Sequence, residues 1–391
     1  MVASSDNNGF IPLAVPEIRG NEWKYVKECL DTNWVSSVGS FVDRFEDMLA
    51  EYVGSKHAVA TVNGTAALHV SLLVAGIEPD DEVIVSTLTF VAPVNAIRYV
   101  GAWPVFMDAE PDYWQMDPKK LERFLAEECQ WKDGVLVNKA SGRRVRSIIP
   151  VHVLGHPCDM TPIMELANKY GLTVIEDATE SLGAGYDGRL LGRFGDIACF
   201  SFNGNKLITT GGGGMIVTDN QEWADRARYL TTQAKDDPIE YYHNEIGYNY
   251  RLTNIQAAMG VAQVEVLDEL IEAKRTIARR YDEELRSIEG LTLMPTQPET
   301  TPVYWLYTIL MSPGTTLEER KETIKTLNQQ GVGSRPLWHP IHGLPPYADC
   351  QSYQMDASMD LYNRAISIPC SSGLTEIEQQ RCIDSLKAVL G

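Results

Sequence analysis

Seven short apolar runs, separated by segments of helical spacing, constrain the fold of this chain more than any other feature. The runs are rich in β-branched residues and apolar on both faces, as strands are in a sheet that is covered on both sides. They span residues 57–61, 82–86, 103–108, 147–153, 172–177, 197–202 and 214–218. Segments of helical periodicity lie between them, at 65–75, 91–100, 117–128 and 160–170. This alternation predicts an α/β fold with a doubly wound, mostly parallel sheet.

The pattern changes near residue 251. A long, charged and amphipathic helical stretch, 251–288, leads into the apolar run 303–311 and a last helix near 375–390. A chain of 391 residues is long enough for two lobes. We therefore predict a large domain at 1–255, which includes the N-terminal segment, and a smaller C-terminal α+β domain at 256–391.

Charge and cysteine content argue against several classes of function. The formal net charge of −19 disfavours nucleic acid or an anionic membrane surface as a partner, because both carry negative charge. The seven cysteines are odd in number and never form a CxxC pair, which predicts reduced thiols rather than a zinc site or disulfide framework. The first ten residues contain no apolar signal region, and no run of 18 apolar residues occurs. We expect a cytoplasmic protein that acts on small molecules and holds no metal.

Polar residues follow several of the predicted strands, at the edge where ligands bind in open α/β sheets. Gly64 and Thr65 come after the first strand and begin a helical segment. Unpaired backbone N–H groups, a hydroxyl and the positive end of the helix dipole would suit a phosphate there. An ordinary helix cap is the alternative. Phe90 follows the second strand, where an aromatic residue is usually part of the core.

The next strand ends bring an acid, a hydroxyl and an amine. Asp177 ends an apolar strand, and a carboxylate there needs either a structural arginine or a protonated ring nitrogen as its partner. Ser201 lies five residues before Lys206, which sits in a loop between an apolar strand and the four glycines 211–214. A phosphate cradle, a stacking ring, a buried carboxylate and a loop lysine together suit pyridoxal phosphate.

Longer stretches carry a resemblance to a known family. They are "NGTAALHVSLL", "STLTFVAPVNAI", "VHVLGHPCDM", "VIEDATESLGA", "CFSFNGNKLITTGGGGMIV" and "GYNYRLTNIQAA". The chain resembles, from near residue 11 to about 370, the DegT/DnrJ/EryC1/StrS family of pyridoxal phosphate-dependent nucleotide-sugar aminotransferases. The resemblance implies an aspartate-aminotransferase-like (type I) fold. "NGNKLITTGGGG" and "SSVGSFVDRFE" are most similar to the branch that aminates C4 of UDP-linked 4-keto-6-deoxy-N-acetylhexosamines, in bacillosamine or legionaminic-type pathways.

The resemblance also implies roles for single residues. It makes Lys206 the lysine that bonds the cofactor covalently and Asp177 the partner of the cofactor's ring nitrogen. Phe90 takes the position of the ring that stacks on the cofactor. The family's phosphate-binding residues correspond to Gly64, Thr65 and Ser201.

Five further positions follow from the same resemblance. Asn249 corresponds to an asparagine that reaches the phosphate of the neighbouring subunit, which implies a homodimer with shared active sites. Arg251 is a candidate for the carboxylate of the amino donor, and His339 for the nucleotide-sugar side. Glu180 replaces the glutamine or histidine that many relatives have near the cofactor, and Gly212 replaces a glutamate.

The implied reaction moves an amino group from L-glutamate to C4 of a nucleotide-linked keto sugar. A GDP- or dTDP-linked sugar, or amination at C3, is the alternative to the UDP-linked substrate. A dehydratase of the same fold would have histidine in place of Lys206, and a non-catalytic ligand-binding regulator would not need the intact set of Lys206, Asp177 and Ser201.

Overall fold

The computed structural model describes residues 9–237 and 239–391. Residues 1–8 lie outside the described residues. They make up most of the N-terminal stretch in which the sequence shows no apolar signal region. The helices are α1 (Glu22–Asp31), α2 (Ser40–Val53), α3 (Gly64–Val74), α4 (Ala92–Tyr99), α5 (Pro118–Arg123), α6 (Met160–Tyr170), α7 (Gln221–Thr231), α8 (Asn254–Val264), α9 (Leu267–Leu285), α10 (Leu317–Gln329), α11 (Ala357–Arg364) and α12 (Glu376–Leu390). None of these described helices combines the length and apolar character that crossing a membrane requires.

The strands form one large sheet and three small ones. They are β1 (His57–Thr61), β2 (Glu82–Ser86), β3 (Trp103–Met107), β4 (Cys129–Lys132), β5 (Val135–Asn138), β6 (Val145–Ile149), β7 (Thr173–Asp177), β8 (Gly185–Tyr186), β9 (Arg189–Leu190), β10 (Ile197–Ser201), β11 (Gly214–Thr218), β12 (Thr300–Thr301), β13 (Tyr307–Leu310), β14 (Arg335–Pro336), β15 (Ser352–Tyr353) and β16 (Ala365–Ile368). The large sheet has the order β1-β11-β10-β7-β6-β2-β3-β15.

Strand direction in the large sheet brings most carboxyl ends to one edge. The pairings from β10 through β7, β6, β2 and β3 to β15 are parallel. β11 is antiparallel to both β1 and β10, so β1 runs in the same direction as β10. The loops after β1, β2, β7 and β10 therefore start from the same edge. The predicted α/β class with a mostly parallel sheet is confirmed.

The large sheet is covered on both faces, as its sequence predicts. In β2, Val83 and Val85 join the core on one face and Ile84 joins the core on the other, and all three are fully buried. A strand can be apolar at successive positions only when both faces are packed. The apolar runs that indicated strands thus also indicated the layers above and below them.

Two details differ from the sequence prediction. The segment predicted as one helix at 117–128 ends in a π-helical turn, Phe124–Glu128, and continues into the unpredicted hairpin β4–β5. The long helical stretch is broken between α8 and α9, where the carboxylate of Glu265 accepts hydrogen bonds from Asn21 and Tyr25. These contacts come from residues far away in the chain, so local periodicity carries no sign of them.

A smaller antiparallel sheet, β13-β16-β14, lies in the C-terminal part of the chain. α10 packs against it and against α12, which also contacts α9. Two elements that lie wholly or mostly beyond residue 255 nevertheless pack with the large sheet and its helices: β15 extends that sheet, and α8 packs on α1 and α2. The domain division at 255 stays a prediction, with these two elements on the far side of it.

Asp108 joins the C-terminal part of the chain to the edge of the large sheet. It follows β3 and is fully buried. Its carboxylate accepts hydrogen bonds from the backbone N–H groups of Asp356, Ala357 and Ser358 at 2.8–2.9 Å, and from Lys120 Nζ at 2.7 Å. Burial opposes ionisation, but these donors hold the pKa of Asp108 below its ordinary value. An anion at the N-terminus of α11 satisfies N–H groups that the helix itself leaves unpaired.

Candidate active site

The turn between β1 and α3 forms a cradle for an anion. Asn63 caps α3, because its side-chain oxygen accepts a hydrogen bond from the N–H of Ala66 at 2.8 Å. The preceding N–H groups, of Gly64 and Thr65, belong to the first helical turn and have no intrahelical acceptor. A Cβ at Gly64 would lie 2.9 Å from the Cβ of Ser201 and 3.2 Å from its Oγ. The three residues predicted to bind phosphate therefore meet at one helix N-terminus.

The glycine run after Lys206 explains why this turn can form. A Cβ at Gly214 would lie 2.5 Å from the backbone carbon and oxygen of Asn63, and one at Gly213 would lie 2.3 Å from Thr210 Oγ1. A side chain at Gly214 would push β11 away from the Asn63 turn, and one at Gly213 would collide with Thr210. The glycines do permit a close approach, as the sequence indicated, but what approaches them in the described residues is the protein's own chain.

Asp177 is a buried carboxylate at the end of β7, only 2% exposed. Its Oδ1 accepts a hydrogen bond from the N–H of Thr179 at 3.2 Å. Burial raises the pKa of Asp177, against the opposing effect of the Thr179 hydrogen bonds and the charges of Lys206 and His152. Among the described residues no arginine pairs with it, so the structural-arginine alternative fails. The arrangement suits a cationic group of a ligand.

Lys206 lies in the loop after β10, with its side chain 14% exposed. Its Nζ donates a hydrogen bond to Glu180 Oε1 at 3.4 Å and lies 3.9 Å from the centroid of the Trp305 ring. The Trp305 indole N–H also donates to the carbonyl oxygen of Asn205 at 2.8 Å. Trp305 thus contacts both the loop that carries the lysine and the amine itself. The contact between the amine and the Trp305 ring is a favourable cation–π interaction.

Glu180 is fixed from two sides. Its Oε1 accepts from Lys206, and its Oε2 accepts from the backbone N–H of Leu154 at 2.8 Å. Leu154 has a positive φ of 62°, which is uncommon outside glycine and costs conformational energy. Burial raises the pKa of Glu180, opposed first by the positive charge of Lys206. The replacement noted in the sequence therefore puts a second carboxyl group next to the lysine.

An aromatic wall connects Phe90 to this cluster. The rings of Trp305 and Trp338 are parallel within 4°, with centroids 6.0 Å apart, and Phe90 lies 6.5 Å from Trp338. Phe90 is 53% exposed, so it is not the core residue that its type alone would suggest. Neither tryptophan was identified from the sequence. Aromatic residues near a strand are usually core, and only the fold shows which of them face a site.

Three predicted residues lie apart from the cluster. Arg251 forms an ion pair with the buried Glu46, at 2.7 Å, and its guanidinium is thereby occupied. His339 packs its ring on Tyr362, with centroids 5.0 Å apart. Asn249 is exposed, and its backbone pairs with Thr232. The roles of these residues stay predictions, and the Glu46 pair weighs against that of Arg251.

His152 and His156 have the spacing of a metal pair but different surroundings. His152 Nδ1 accepts from the backbone N–H of Cys158, and its Nε2 lies 3.2 Å from Glu176. His156 Nε2 accepts from the N–H of Gln297. In residues 9–237 and 239–391 no group of three or more His, Cys, Asp or Glu side chains could hold a metal ion.

The cluster fits the chemistry of pyridoxal phosphate. A helix N-terminus with Ser201 beside it offers donors to a phosphate, Asp177 offers an anion to a ring nitrogen, and Lys206 offers an amine to a carbonyl. The missing Cβ of Gly64 leaves open the space next to Ser201 that a larger residue would fill.

Comparison with known proteins identifies the family. A model of the DegT/DnrJ/EryC1/StrS aminotransferase family matches residues 16–387. The chain belongs to this family. It is 41% identical over 381 residues to the GDP-perosamine synthase of Caulobacter vibrioides, covering 97% of this chain and 98% of the relative. It is 40% identical over 367 residues to the GDP-perosamine synthase of Escherichia coli O157:H7, covering 94% of each. A crystal structure of a DegT DnrJ EryC1 StrS aminotransferase from Brucella abortus matches with a TM-score of 0.86 at 28% identity, over 95% of each chain.

Membership confirms the predicted aspartate-aminotransferase-like fold, the enzyme class and the cofactor: the chain is a pyridoxal phosphate-dependent sugar aminotransferase. The predicted UDP-linked, bacillosamine-type branch is not supported, because both of these relatives are GDP-perosamine synthases. The GDP-linked alternative fits better. The stretches that suggested a UDP sugar surround the cofactor loops or lie near α2, and none contains a residue assigned to the nucleotide.

The buried charge of Asp177 leads to a stability prediction for the cofactor-free protein. The pKa of this carboxyl group is higher in the folded state than in the unfolded state. Its contribution to the free energy of unfolding is fully present at a pH below the unfolded-state pKa, and it is lost as the pH rises through the folded-state pKa. Asp177→Asn should therefore raise the melting temperature at neutral pH by about 1 °C, the change that a gain near 1 kcal/mol produces in a chain of 391 residues. The gap to the wild type should shrink as the pH falls, as thermal denaturation at several pH values would show.

Asp47→Asn, at an exposed position of α2, is the matched control and should show no such pH-dependent gap. The same Asp177→Asn change should weaken the retention of pyridoxal phosphate, because the ring nitrogen loses its anion. A variant that melts below the wild type at every pH would contradict the assignment of Asp177 as a buried, unpaired charge.

Proposed function

We propose that this enzyme transfers the amino group of L-glutamate to C4 of a GDP-linked 4-keto-6-deoxyhexose. The observation that carries the proposal is the placement of the Lys206 amine beside two buried carboxyl groups, Asp177 and Glu180, at the ligand-binding edge of the sheet. The names of the two relatives, which match along almost the whole chain, support GDP as the nucleotide. The seven free thiols support the predicted cytoplasmic location.

Lys206 moves the protons of the reaction. When bound, pyridoxal phosphate supplies a carbonyl carbon that exchanges oxygen for nitrogen and a ring that spreads negative charge. The Lys206 Nζ takes the proton from the α-carbon of glutamate in the first half-reaction and delivers a proton to C4 of the sugar in the second. Glu180 Oε1 and the Trp305 ring orient the amine between these positions.

The other residues bind and orient. The carboxylate of Asp177 holds a proton on the ring nitrogen, which keeps the ring able to accept negative charge. The N–H groups of Gly64 and Thr65 and the hydroxyl of Ser201 bind the phosphate. Phe90, at the end of the aromatic wall, covers one face of the ring.

We also propose a homodimer in which Asn249 binds the phosphate held by the partner subunit. Asn249 is exposed, so its side chain is accessible to a partner subunit. Large apolar side chains are exposed on α1, after α1 and shortly before Asn249: Trp23 is 83%, Val38 69% and Ile246 83% exposed. In the proposed homodimer these side chains become buried in one contact surface between the subunits.

The substrate proposal is tested by incubating the enzyme with glutamate and, in parallel, GDP-4-keto-6-deoxymannose or UDP-4-keto-6-deoxy-N-acetylglucosamine. Mass spectrometry should show an amino sugar from the GDP substrate, with kcat/KM at least about tenfold higher than for the UDP substrate, a difference of about 1.4 kcal/mol. Lys206→Ala, checked for folding by circular dichroism, should give no product from either. Preference for the UDP sugar would return the assignment to the branch first suggested by the sequence, and steady turnover by Lys206→Ala would refute the catalytic role of the lysine.

The shared site is tested by mixing Asn249→Ala, which should retain the cofactor poorly, with Lys206→Ala, which should be inactive. In a mixed dimer, one site lacks both residues and the other contains both, because each chain supplies Lys206 to its own site and Asn249 to its partner's. Activity should reappear after subunit exchange, approaching one active site per mixed dimer. If exchange is demonstrated by mass spectrometry and no activity returns, Asn249 does not serve the partner's site.

A further inference from the structure

Arg335 is a half-buried cation without a protein anion. It begins β14, and its guanidinium carbon lies 6.0 Å from the ring centroid of Trp305 and 5.9 Å from that of Trp338. Among the described residues no carboxylate lies within ion-pair distance of it. Burial lowers the pKa of Arg335, and the negative charge of Glu180 opposes this only from a longer range.

Several partly buried arginines of the chain have a carboxylate partner. Arg251 contacts Glu46 at 2.7 Å, Arg364 contacts Asp360 at 2.6 Å, and Arg144 contacts Asp81 at 2.7 Å. A guanidinium stays charged at any physiological pH, and removing it from water without an acceptor is costly. Arg335 has no such partner among the described residues, which leaves its guanidinium available to an anion of a ligand.

The position of Arg335 restricts which anion this is. Lys206 lies against the Trp305 ring, 3.9 Å from its centroid, and Arg335 lies near the same ring. The phosphate cradle at Gly64 and Ser201 is formed by other elements. Asp177 and Glu180 make the floor of the site negative, so a carboxylate could enter only beside a compensating cation. An amino acid carries its carboxylate one bond from the α-carbon whose proton Lys206 removes.

We propose that Arg335 binds the α-carboxylate of the amino donor. This rests on the proposed aminotransferase function and assigns its donor subsite. The two tryptophans hold the flat guanidinium without using its N–H groups, which leaves the planar fork of donors that matches a carboxylate. Arg251, the residue first expected in this role, is taken up by Glu46. The sugar substrate has no carboxylate at the reacting carbon, so Arg335 acts in only one half-reaction.

The test measures each half-reaction separately, in the variants Arg335→Gln and Arg335→Lys, by following the absorbance of the bound cofactor. Glutamate converts the loaded enzyme to its amino form and leaves as 2-oxoglutarate, with the oxygen supplied by water. The nucleotide-linked 4-amino sugar gives the same amino form in the reverse direction and leaves as the keto sugar. The Kd of glutamate should rise about 100-fold in Arg335→Gln, because the charge that pairs with the carboxylate is lost. It should rise about tenfold in Arg335→Lys, which keeps the charge but loses the planar fork of N–H donors. The half-reaction with the amino sugar should change less than about threefold, well under the cost of a lost charge pair.

Calorimetric titration of the enzyme loaded with pyridoxal phosphate, in its aldehyde form, with 2-oxoglutarate provides a readout that needs no turnover, because neither carries an amino group to transfer. Binding should be lost in Arg335→Gln and unchanged in Arg279→Gln, which removes an exposed arginine on α9 that pairs with Glu272. Loss confined to the sugar half-reaction would place a sugar or diphosphate on Arg335 instead, and equal loss in both half-reactions would mean a structural role. Either result, or unchanged binding of 2-oxoglutarate, overturns the proposal. If wild-type enzyme reacts with neither substrate, the proposed function fails, while the titration still decides whether Arg335 binds a carboxylate.

Discussion

The burial of two carboxyl groups next to one lysine amine is the constraint on which the rest of the site depends. Asp177 and Glu180 are both withdrawn from water, and burial raises the pKa of each. Such an arrangement destabilises a folded protein unless a ligand supplies positive charge. The surrounding structure keeps it in place: Thr179 and Leu154 donate backbone N–H groups, and Trp305 fixes the loop of Lys206. Stability lost here is returned when the cofactor binds.

Much of the fold and part of the site follow from the sequence, for a physical reason. Parallel strands buried on both faces must be apolar throughout, and their carboxyl ends must meet at one edge. Polar residues just after such runs are therefore expected to lie together. Gly64, Asp177, Ser201 and Lys206 do so, although their phosphate, ring and covalent roles stay predictions until the cofactor is located. The glycine run was also informative, but its close partner is the Asn63 turn.

The remaining parts of the site come from contacts that no local pattern records. Trp305 and Trp338 lie more than a hundred residues beyond Asp177 in the chain, and each resembles an ordinary core residue in sequence. The Glu46 carboxylate that pairs with Arg251 lies on α2, 205 residues earlier in the chain. Motifs that surround the cofactor do not indicate which nucleotide the sugar carries. The prediction of a UDP-linked sugar was therefore changed to a GDP-linked one by relatives that match along the whole chain.

The assignment of Lys206 as the residue that bonds the cofactor is central to this description of the enzyme. Borohydride reduction of the enzyme loaded with pyridoxal phosphate makes that bond permanent, and peptide mass spectrometry then locates it. We expect a single modified lysine, Lys206, at one equivalent per chain. Modification of a different lysine, such as the buried Lys274 that donates to the carbonyl oxygen of Trp305, or no modification of an enzyme that retains the cofactor, would contradict the assignment.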